Sequence, residues 1–144
     1  MTTILTQRVA RLLAAPTFAV AAAILVKGYA DVGDGFAAGV VAGLGVLLLF
    51  AAFGAKETHR LLPVRRAFAV AIAGLTVAIA VGFAPVLAGD PPFTHYPAPE
   101  APVVHLGTLE LLTAVAFDVG VFGLVVGVVV GALDYAARAR KGDW

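Results

Sequence analysis

Two carboxylates in the last apolar segment of the chain are the side chains best suited to chemistry. Asp118 lies near the middle of the apolar run 111–133, which is long enough to cross a bilayer as a helix. A carboxylate at that depth costs a few kcal/mol, so it usually faces a protein partner or a water-filled path. Glu110 opens the same predicted helix, about 12 Å further out and roughly 80° around the axis. Both residues are therefore candidates for an ion pathway, with Asp118 as an alternating proton or sodium site.

Three further charged residues lie where the first apolar segment ends and the second begins: Lys27, Asp31 and Asp34. Gly33 and Gly35 flank Asp34, which indicates a tight turn that lets backbone groups approach their neighbours. We interpret this group as the outer mouth of the same pathway.

Each of these candidates also has a purely structural interpretation. Asp31 and Asp34 are typical turn and helix-cap residues, and Lys27 can extend its ammonium to the membrane interface. An acid such as Glu110 is favoured in a first helical turn by the helix dipole. Asp118 is also suited to a structural ion pair with a neighbouring subunit.

The histidines give only a weak indication of a metal site. His95 and His105 lie ten residues apart in one connection, and His59 lies beside Arg60. We interpret all three as solvated surface side chains. Because the chain contains no cysteine, disulfides and thiolate ligands are excluded. We also expect no metal, no cofactor and no enzymatic activity.

The composition indicates a membrane protein. Hydrophobic residues make up 61% of the 144 residues and charged residues only 13%, whereas a soluble domain has roughly 25% charged residues. The formal net charge of +1 argues against nucleic acid as a partner. We therefore predict an all-α membrane protein in contact with the lipid bilayer.

Four apolar segments predict a bundle of four transmembrane helices within a single domain, 1–144. The predicted spans are 9–28, 35–54, 66–88 and 107–134, each close to the roughly 20 residues that a bilayer requires. The first segment is too long for a signal peptide, and Lys27 follows where a cleavage site would need small residues. We therefore expect it to remain as a true span.

The basic residues predict the orientation. Of the ten lysines and arginines, only Lys27 falls at the end of the spans opposite to the others. The positive-inside rule therefore places both termini and the connection 54–66 in the cytoplasm. The outer connection 89–106 is rich in proline, so we expect it to be extended and to lie across the outer surface.

Two series of glycines predict how the helices pack, since small residues let helices approach closely in lipid. They recur every four positions: Gly35, Gly39 and Gly43 in the second span, Gly123, Gly127 and Gly131 in the fourth. The fourth-span glycines fall at about 140°, 180° and 220° from Asp118, on the opposite face. Both faces of this helix should therefore be covered by protein. Four helices can hardly do this and also seal a pathway, which favours a larger assembly.

Three stretches carry motifs of one known family, in order along essentially the whole chain. The first reads Arg8-Val9-Ala10-Arg11-Leu12-Leu13 and then Lys27-Gly28-Tyr29-Ala30-Asp31-Val32-Gly33-Asp34-Gly35-Phe36. The second reads Pro92-Phe93-Thr94-His95. The third reads Leu106-Gly107-Thr108 and then Phe117-Asp118-Val119-Gly120-Val121. In these motifs the chain resembles the B-type subunits of the multisubunit Mrp-type (Mnh/Sha) sodium/proton antiporters.

The resemblance implies membership of a hetero-oligomeric complex that exports sodium ions in exchange for protons. It also implies several other membrane subunits as partners and a location in the inner, or plasma, membrane of a prokaryote. Three positions depart from the family turn: Tyr29 replaces histidine, Val32 replaces proline and Asp34 replaces glycine. Any role of the loop histidine is therefore not expected here, whereas Asp34 would add an acidic group at the same mouth.

Three hypotheses of function remain open at this stage. The chain is an accessory antiporter subunit that contributes carboxylates to an ion route, or a purely structural subunit of that assembly. In the third, it is a B-like subunit of a redox-driven, membrane-bound hydrogenase complex. Nothing in the sequence ligates an iron–sulfur cluster, so catalysis would lie in other subunits in every case.

Overall fold

The computed structural model describes residues 3–27, 33–96, 105–106, 109–110 and 113–139. Its helices are α1 (Ile4–Lys27), α2 (Gly35–Leu61), α3 (Ala67–Phe83) and α4 (Thr113–Ala139). Short 3₁₀ turns, Val64–Arg66 and Ala84–Ala88, extend α3 at both ends. Two-residue strands, β1 (His105–Leu106) and β2 (Leu109–Glu110), pair antiparallel before α4.

Four helical segments are long and apolar enough to cross a membrane: α1, α2, Val64–Ala88 and α4. The predicted class, an all-α bundle with four membrane-spanning segments, is confirmed at this level. The helix bounds differ from the predicted spans in three helices. α1 begins at Ile4, five residues earlier than predicted. α2 continues to Leu61 beyond a break at Gly54, where φ is 76° and ψ is 172°. α4 begins at Thr113 and ends at Ala139, several residues later at each end than predicted.

The helices pack in the order α1–α2–α4–α3, so α4 lies between α2 and α3. Among the described residues, α1 and α3 do not contact each other. We call one end of the bundle the Gly33 end, where residues 33–35 and 84–96 lie. The other is the His59 end, where residues 54–66 and Asp134 lie.

Small residues bring α2 and α4 into close contact along one line. A Cβ added at Gly35 would overlap the backbone oxygen of Asp118, and one at Gly39 would lie 2.8 Å from Cβ of Val125. At Gly43 it would lie 2.7 Å from Cγ1 of Val129. These distances are shorter than any side chain tolerates, so the glycines determine how closely α2 approaches α4.

The α3–α4 contact is equally close but uses a partly different set of residues. A Cβ at Gly127 would overlap the backbone nitrogen of Ala71, whereas one at Gly123 would lie 3.6 Å from Cα of Gly74. At Gly131 its nearest neighbour would be the ring of Phe68, at 3.3 Å. Two positions outside the predicted series are also in close backbone contact: Gly74, against the nitrogen of Leu124, and Gly120, against the nitrogen of Ala78.

Both faces of α4 are thus covered inside this one chain, by α2 and by α3. The prediction that protein covers both faces is confirmed. Because the covering helices belong to this chain, the two faces do not by themselves require neighbouring subunits.

The described part of the outer connection is also not extended. Residues 89–96 form consecutive turns, with backbone hydrogen bonds from Gly89 to Val86 (3.1 Å) and from Asp90 to Pro85 (3.1 Å). The nitrogen of Phe93 then donates to the carbonyl oxygen of Gly82 at 2.7 Å, which folds the connection back onto the end of α3. Pro97, Pro99 and Pro102 lie outside the described residues.

Candidate ion site

Asp118 lies in the α2–α4 contact at the Gly33 end. Its exposed fraction is 4%, and its Oδ2 accepts a hydrogen bond of 2.8 Å from the backbone N–H of Gly33. Gly33 has φ of 117°, a left-handed conformation that favours glycine. Two residues later, Gly35 contacts the Asp118 backbone. Gly33 and Gly35 therefore hold the side chain and the backbone of Asp118, respectively, against the start of α2.

The position of Asp118 along its helix corrects the prediction that it lies near the middle. α4 begins at Thr113, so Asp118 is about 8 Å from the start of the helix. Its contact with Gly33 places it level with the connection between α1 and α2. A carboxylate at this depth is closer to an aqueous surface than one at the centre of a span, which lowers the cost of charging it.

Lys27 and Asp34 form an ion pair beside this turn, with Nζ and Oδ2 3.2 Å apart. Asp34 occupies the N-cap position of α2 but makes no capping hydrogen bond with its side chain; its carboxylate faces Lys27 instead. The Lys27 side chain is 66% exposed, so the pair contributes little to stability. Asp34 lies between Gly33 and Gly35, so the pair borders the Asp118 site. Asp31 lies outside the described residues.

Glu110 does not lie where the apolar pattern predicted it. It belongs to strand β2, where it pairs with His105, and α4 begins only at Thr113. The helical offset expected between Glu110 and Asp118 therefore does not apply. The apolar pattern extended the predicted helix too far because a periodicity does not mark where a helix begins.

Aromatic side chains cover the Gly33 end next to Asp118. The ring centroids of Phe93 and His95 lie 6.0 Å and 5.9 Å from that of Phe117, the residue before Asp118. His95 was expected to be a solvated surface residue, yet it is half-buried, and its Nδ1 is buried without a hydrogen-bond partner in the described structure. The outer connection thus closes over the residue that precedes Asp118.

Tyr96 fixes this connection to the start of α4. Its backbone nitrogen donates to Oγ1 of Thr113 at 2.7 Å, and its carbonyl accepts from the nitrogen of Thr113 at 3.0 Å. Its hydroxyl donates to Asp90, and this hydrogen bond raises the pKa of Tyr96 above the ordinary value for tyrosine. The aromatic cover is therefore held in place by hydrogen bonds at both ends.

A second polar cluster, at the His59 end, was not predicted from the sequence. Asp134 is 8% exposed. One of its oxygens lies 2.5 Å from Nε2 of His59, and the other accepts a 2.6 Å hydrogen bond from Nη2 of Arg138. His59 also packs edge-on against Phe50, with centroids 6.4 Å apart. The interpretation of His59 as a solvated side chain was therefore wrong.

One part of this cluster had a visible signal in the sequence. Asp134 and Arg138 are four residues apart, the spacing of a helical ion pair. The contact with His59 had none, because it joins residues 75 positions apart in the chain.

The two buried carboxylates of α4 are separated by about 24 Å of helix. Between them, the α2–α4 interface consists of Gly39 against Val125 and Gly43 against Val129, with no space for an added Cβ. This contact is apolar and close-packed, so it offers no ligands to an ion. Among the described residues, no group of three or more histidine, aspartate or glutamate side chains is placed to hold a metal ion.

Comparison with known proteins agrees with the resemblance seen in the motifs. Residues 5–131 match a family described as a domain related to the MnhB subunit of Na⁺/H⁺ antiporters. The chain is 36% identical over 106 residues to the B subunit of the Na⁺/H⁺ antiporter of Bacillus subtilis, covering 73% of this chain and 72% of the relative. It is 33% identical over 102 residues to the protein of the same name from Alkalihalophilus pseudofirmus, covering 70% and 69%.

Another relative is a longer protein with a different cation in its name. The chain is 34% identical over 110 residues to a probable K⁺/H⁺ antiporter A/B subunit of Rhizobium meliloti. The match covers 76% of this chain but only 11% of that protein.

Proposed function

We infer that this chain, which belongs to the family of proteins related to the MnhB subunit of Na⁺/H⁺ antiporters, is a multi-pass plasma-membrane subunit of a cation/proton antiporter. Its relatives are named as subunits of antiporters, so it assembles with other membrane subunits. The family is one of transporters, not of catalytic enzymes. For this complex we propose export of sodium driven by proton uptake.

The environment of Asp118 is the observation that supports a direct role in transport. Its carboxylate is buried, and one oxygen accepts a single hydrogen bond from an uncharged backbone group. Within the described residues no cationic side chain pairs with it. Because an acid in a membrane span that is not locked in an ion pair is by default a candidate functional site, we propose that a proton or a cation exchanges on this carboxylate.

The distribution of basic residues supports an orientation. The basic residues at the His59 end include Lys56, Arg60, Arg65, Arg66 and Arg138. Arg8 and Arg11 of α1 lie at the same end, beside Phe53. By the positive-inside rule this end faces the cytoplasm, and the Gly33 end faces outward. Both termini are then cytoplasmic. Asp118 would lie near the outer surface, with the Lys27–Asp34 pair at its mouth.

The rest of the ion route would belong to neighbouring subunits. The α2–α4 interface inward of Asp118 is packed glycine against valine, so an ion reaching Asp118 cannot continue along it. We therefore propose that Asp118 exchanges ions with a path at the boundary between this chain and a partner.

Asp118→Asn tests this role, because it keeps the shape of the side chain and removes its titrating charge. We expect the complex to assemble in normal yield while sodium/proton antiport in membrane vesicles falls or its pH dependence shifts. Glu57→Gln, in the exposed pair with Arg60 at the opposite end of the bundle, is the matched control. Because one relative is named for potassium, the assay should compare both cations.

The competing interpretation is a purely structural subunit. It would be favoured if Asp118→Asn complexes assembled normally and transported like the wild type at every pH. Gly33 would then serve only to bind a structural carboxylate. The three relatives described above are named as antiporter subunits, which favours an antiporter over the hydrogenase alternative.

A further inference from the structure

An apolar groove opens between α1 and α3, the two helices that do not touch. Its floor is formed by Val46 of α2 and Val126 of α4, and its sides by Phe18 of α1 and Val70 of α3. Its volume is about 480 Å³. Val46 also belongs to the hydrophobic core cluster of the bundle, against which Phe18 and Val126 pack. The groove therefore reaches the core from the lipid-facing side.

This groove must be filled by something apolar. A water molecule needs two to four polar partners, and the groove walls are almost entirely hydrocarbon. An empty space of this size would also forfeit the dispersion contacts of every side chain lining it.

One charged residue, Arg66, lines the groove at the His59 end. It lies in the 3₁₀ turn that precedes α3 and is exposed. In the part of the chain that the structure describes, its guanidinium has no hydrogen bond or ion pair. Two other arginines at this end are paired instead: Arg60 with Glu57, and Arg138 with Asp134.

We propose that the groove binds one anionic phospholipid, with an acyl chain between Phe18 and Val70 and the phosphate on Arg66. An unpaired guanidinium at the end of an apolar groove complements an anionic headgroup attached to a hydrocarbon chain. Basic pockets between membrane helices on the cytoplasmic side are suited to such headgroups. The assignment of Arg66 to the cytoplasmic leaflet depends on the orientation proposed above. The existence of the groove and the charge at its end do not depend on it.

The size of the groove favours an acyl chain over a helix of another subunit. The groove is lined along α4 only from Phe122 to Val130, about 12 Å. A spanning helix of another subunit would contact the bundle over about 30 Å. A flexible hydrocarbon chain can fill a narrow space of this volume along its length.

The test uses the purified complex in vesicles of phosphatidylethanolamine and phosphatidylglycerol. The probe is phosphatidylglycerol carrying a photoreactive diazirine on one acyl chain, and labelled peptides of this chain are quantified by mass spectrometry. We expect Arg66→Gln to lower labelling of the groove peptides about fivefold, the equivalent of about 1 kcal/mol for one basic residue near an anionic surface. Arg66→Lys should retain most of the labelling, and Arg60→Gln should leave it unchanged.

A second pair of variants tests the groove itself. Val70→Phe narrows the groove from its exposed side, whereas Ile72→Phe places the same bulk elsewhere on α3. We expect only Val70→Phe to reduce labelling, with equal yields of complex. A diazirine probe with the zwitterionic phosphatidylcholine headgroup should label the wild type weakly. This labelling should not exceed that of Arg66→Gln by the phosphatidylglycerol probe.

Three results would overturn the proposal. One is equal labelling of wild type, Arg66→Gln and Arg60→Gln, which would mean that no headgroup is recognised. Another is equal labelling of Val70→Phe and Ile72→Phe. The third is a cross-link from Val70→Cys, in this cysteine-free chain, to another subunit, which would mean that protein fills the groove. None of these readouts depends on transport, so they are independent of the role proposed for Asp118.

Discussion

Gly35 and Asp118 are in backbone contact across the α2–α4 interface. A Cβ at residue 35 would overlap the carbonyl oxygen of Asp118 and lie 2.9 Å from its Cα. This contact, together with the hydrogen bond from Gly33, fixes where the carboxylate lies. The proposed ion site thus depends on a residue that has no side chain and no chemistry of its own.

Gly35→Ala should displace the start of α2 from α4, because the methyl group would overlap the Asp118 backbone. Overpacking of this kind costs about 1–3 kcal/mol. We expect a lower unfolding temperature of the complex and reduced antiport. Gly123→Ala is the control, since its added Cβ would meet its nearest neighbour at an ordinary 3.6 Å. Equal stability of the two variants would contradict the contact.

Gly127→Leu should disrupt the packing of α4 on α3, since even one methyl group at residue 127 would overlap the Ala71 nitrogen. The contact is within the chain, so we expect the chain itself to lose protease resistance before any loss of partner binding. If the chain remained protease-resistant while the complex dissociated, Gly127 would contact a partner instead.

Asp134→Ala should destabilise the His59 end, because it removes the acceptor of both His59 and Arg138. Removing one partner of an exposed ion pair costs about 1 kcal/mol of folding free energy, and of a buried pair about 3–5 kcal/mol. We expect a loss between these values, because Asp134 is buried and Arg138 is half-exposed. Thermal unfolding of the purified complex measures it. Glu57→Ala, which removes the exposed partner of Arg60, should cost much less. A cost for Asp134→Ala no greater than for Glu57→Ala would show that the cluster adds nothing to stability.

Lys27→Gln should have little effect on folding, because the Lys27–Asp34 pair is largely exposed. We expect a change below about 1 kcal/mol in stability, measured by the same unfolding assay. If Lys27 lies at the mouth of an ion route, the apparent affinity for the transported cation should change while the yield of complex does not. A large loss of stability would instead identify the pair as a structural element of the turn.

The sequence alone determined the membrane class, the number of spanning segments and the family. These follow from local properties: apolar runs of bilayer length and motifs in a fixed order. It also singled out Asp118, since an acid in an apolar run is conspicuous without any knowledge of its neighbours.

Helix ends were less predictable from the same information. Glu110 was assigned to α4, yet it lies in β2, because apolar composition continues across the boundary and no strong cap precedes Thr113. The break at Gly54 was likewise not visible, since glycine occurs in the middle of the other helices too.

Only the tertiary structure decided which surfaces meet. The glycine series indicated close packing, but the choice of α2 and α3 as the two neighbours of α4 depends on how the whole chain folds. For the same reason the partners of the buried acids, Gly33 for Asp118 and His59 for Asp134, could not be read from the sequence. A sequence pattern indicates that one face of a helix must be buried or that an acid must be hydrogen-bonded. Which residue packs there or donates the hydrogen bond is determined by contacts between segments 75 or more positions apart.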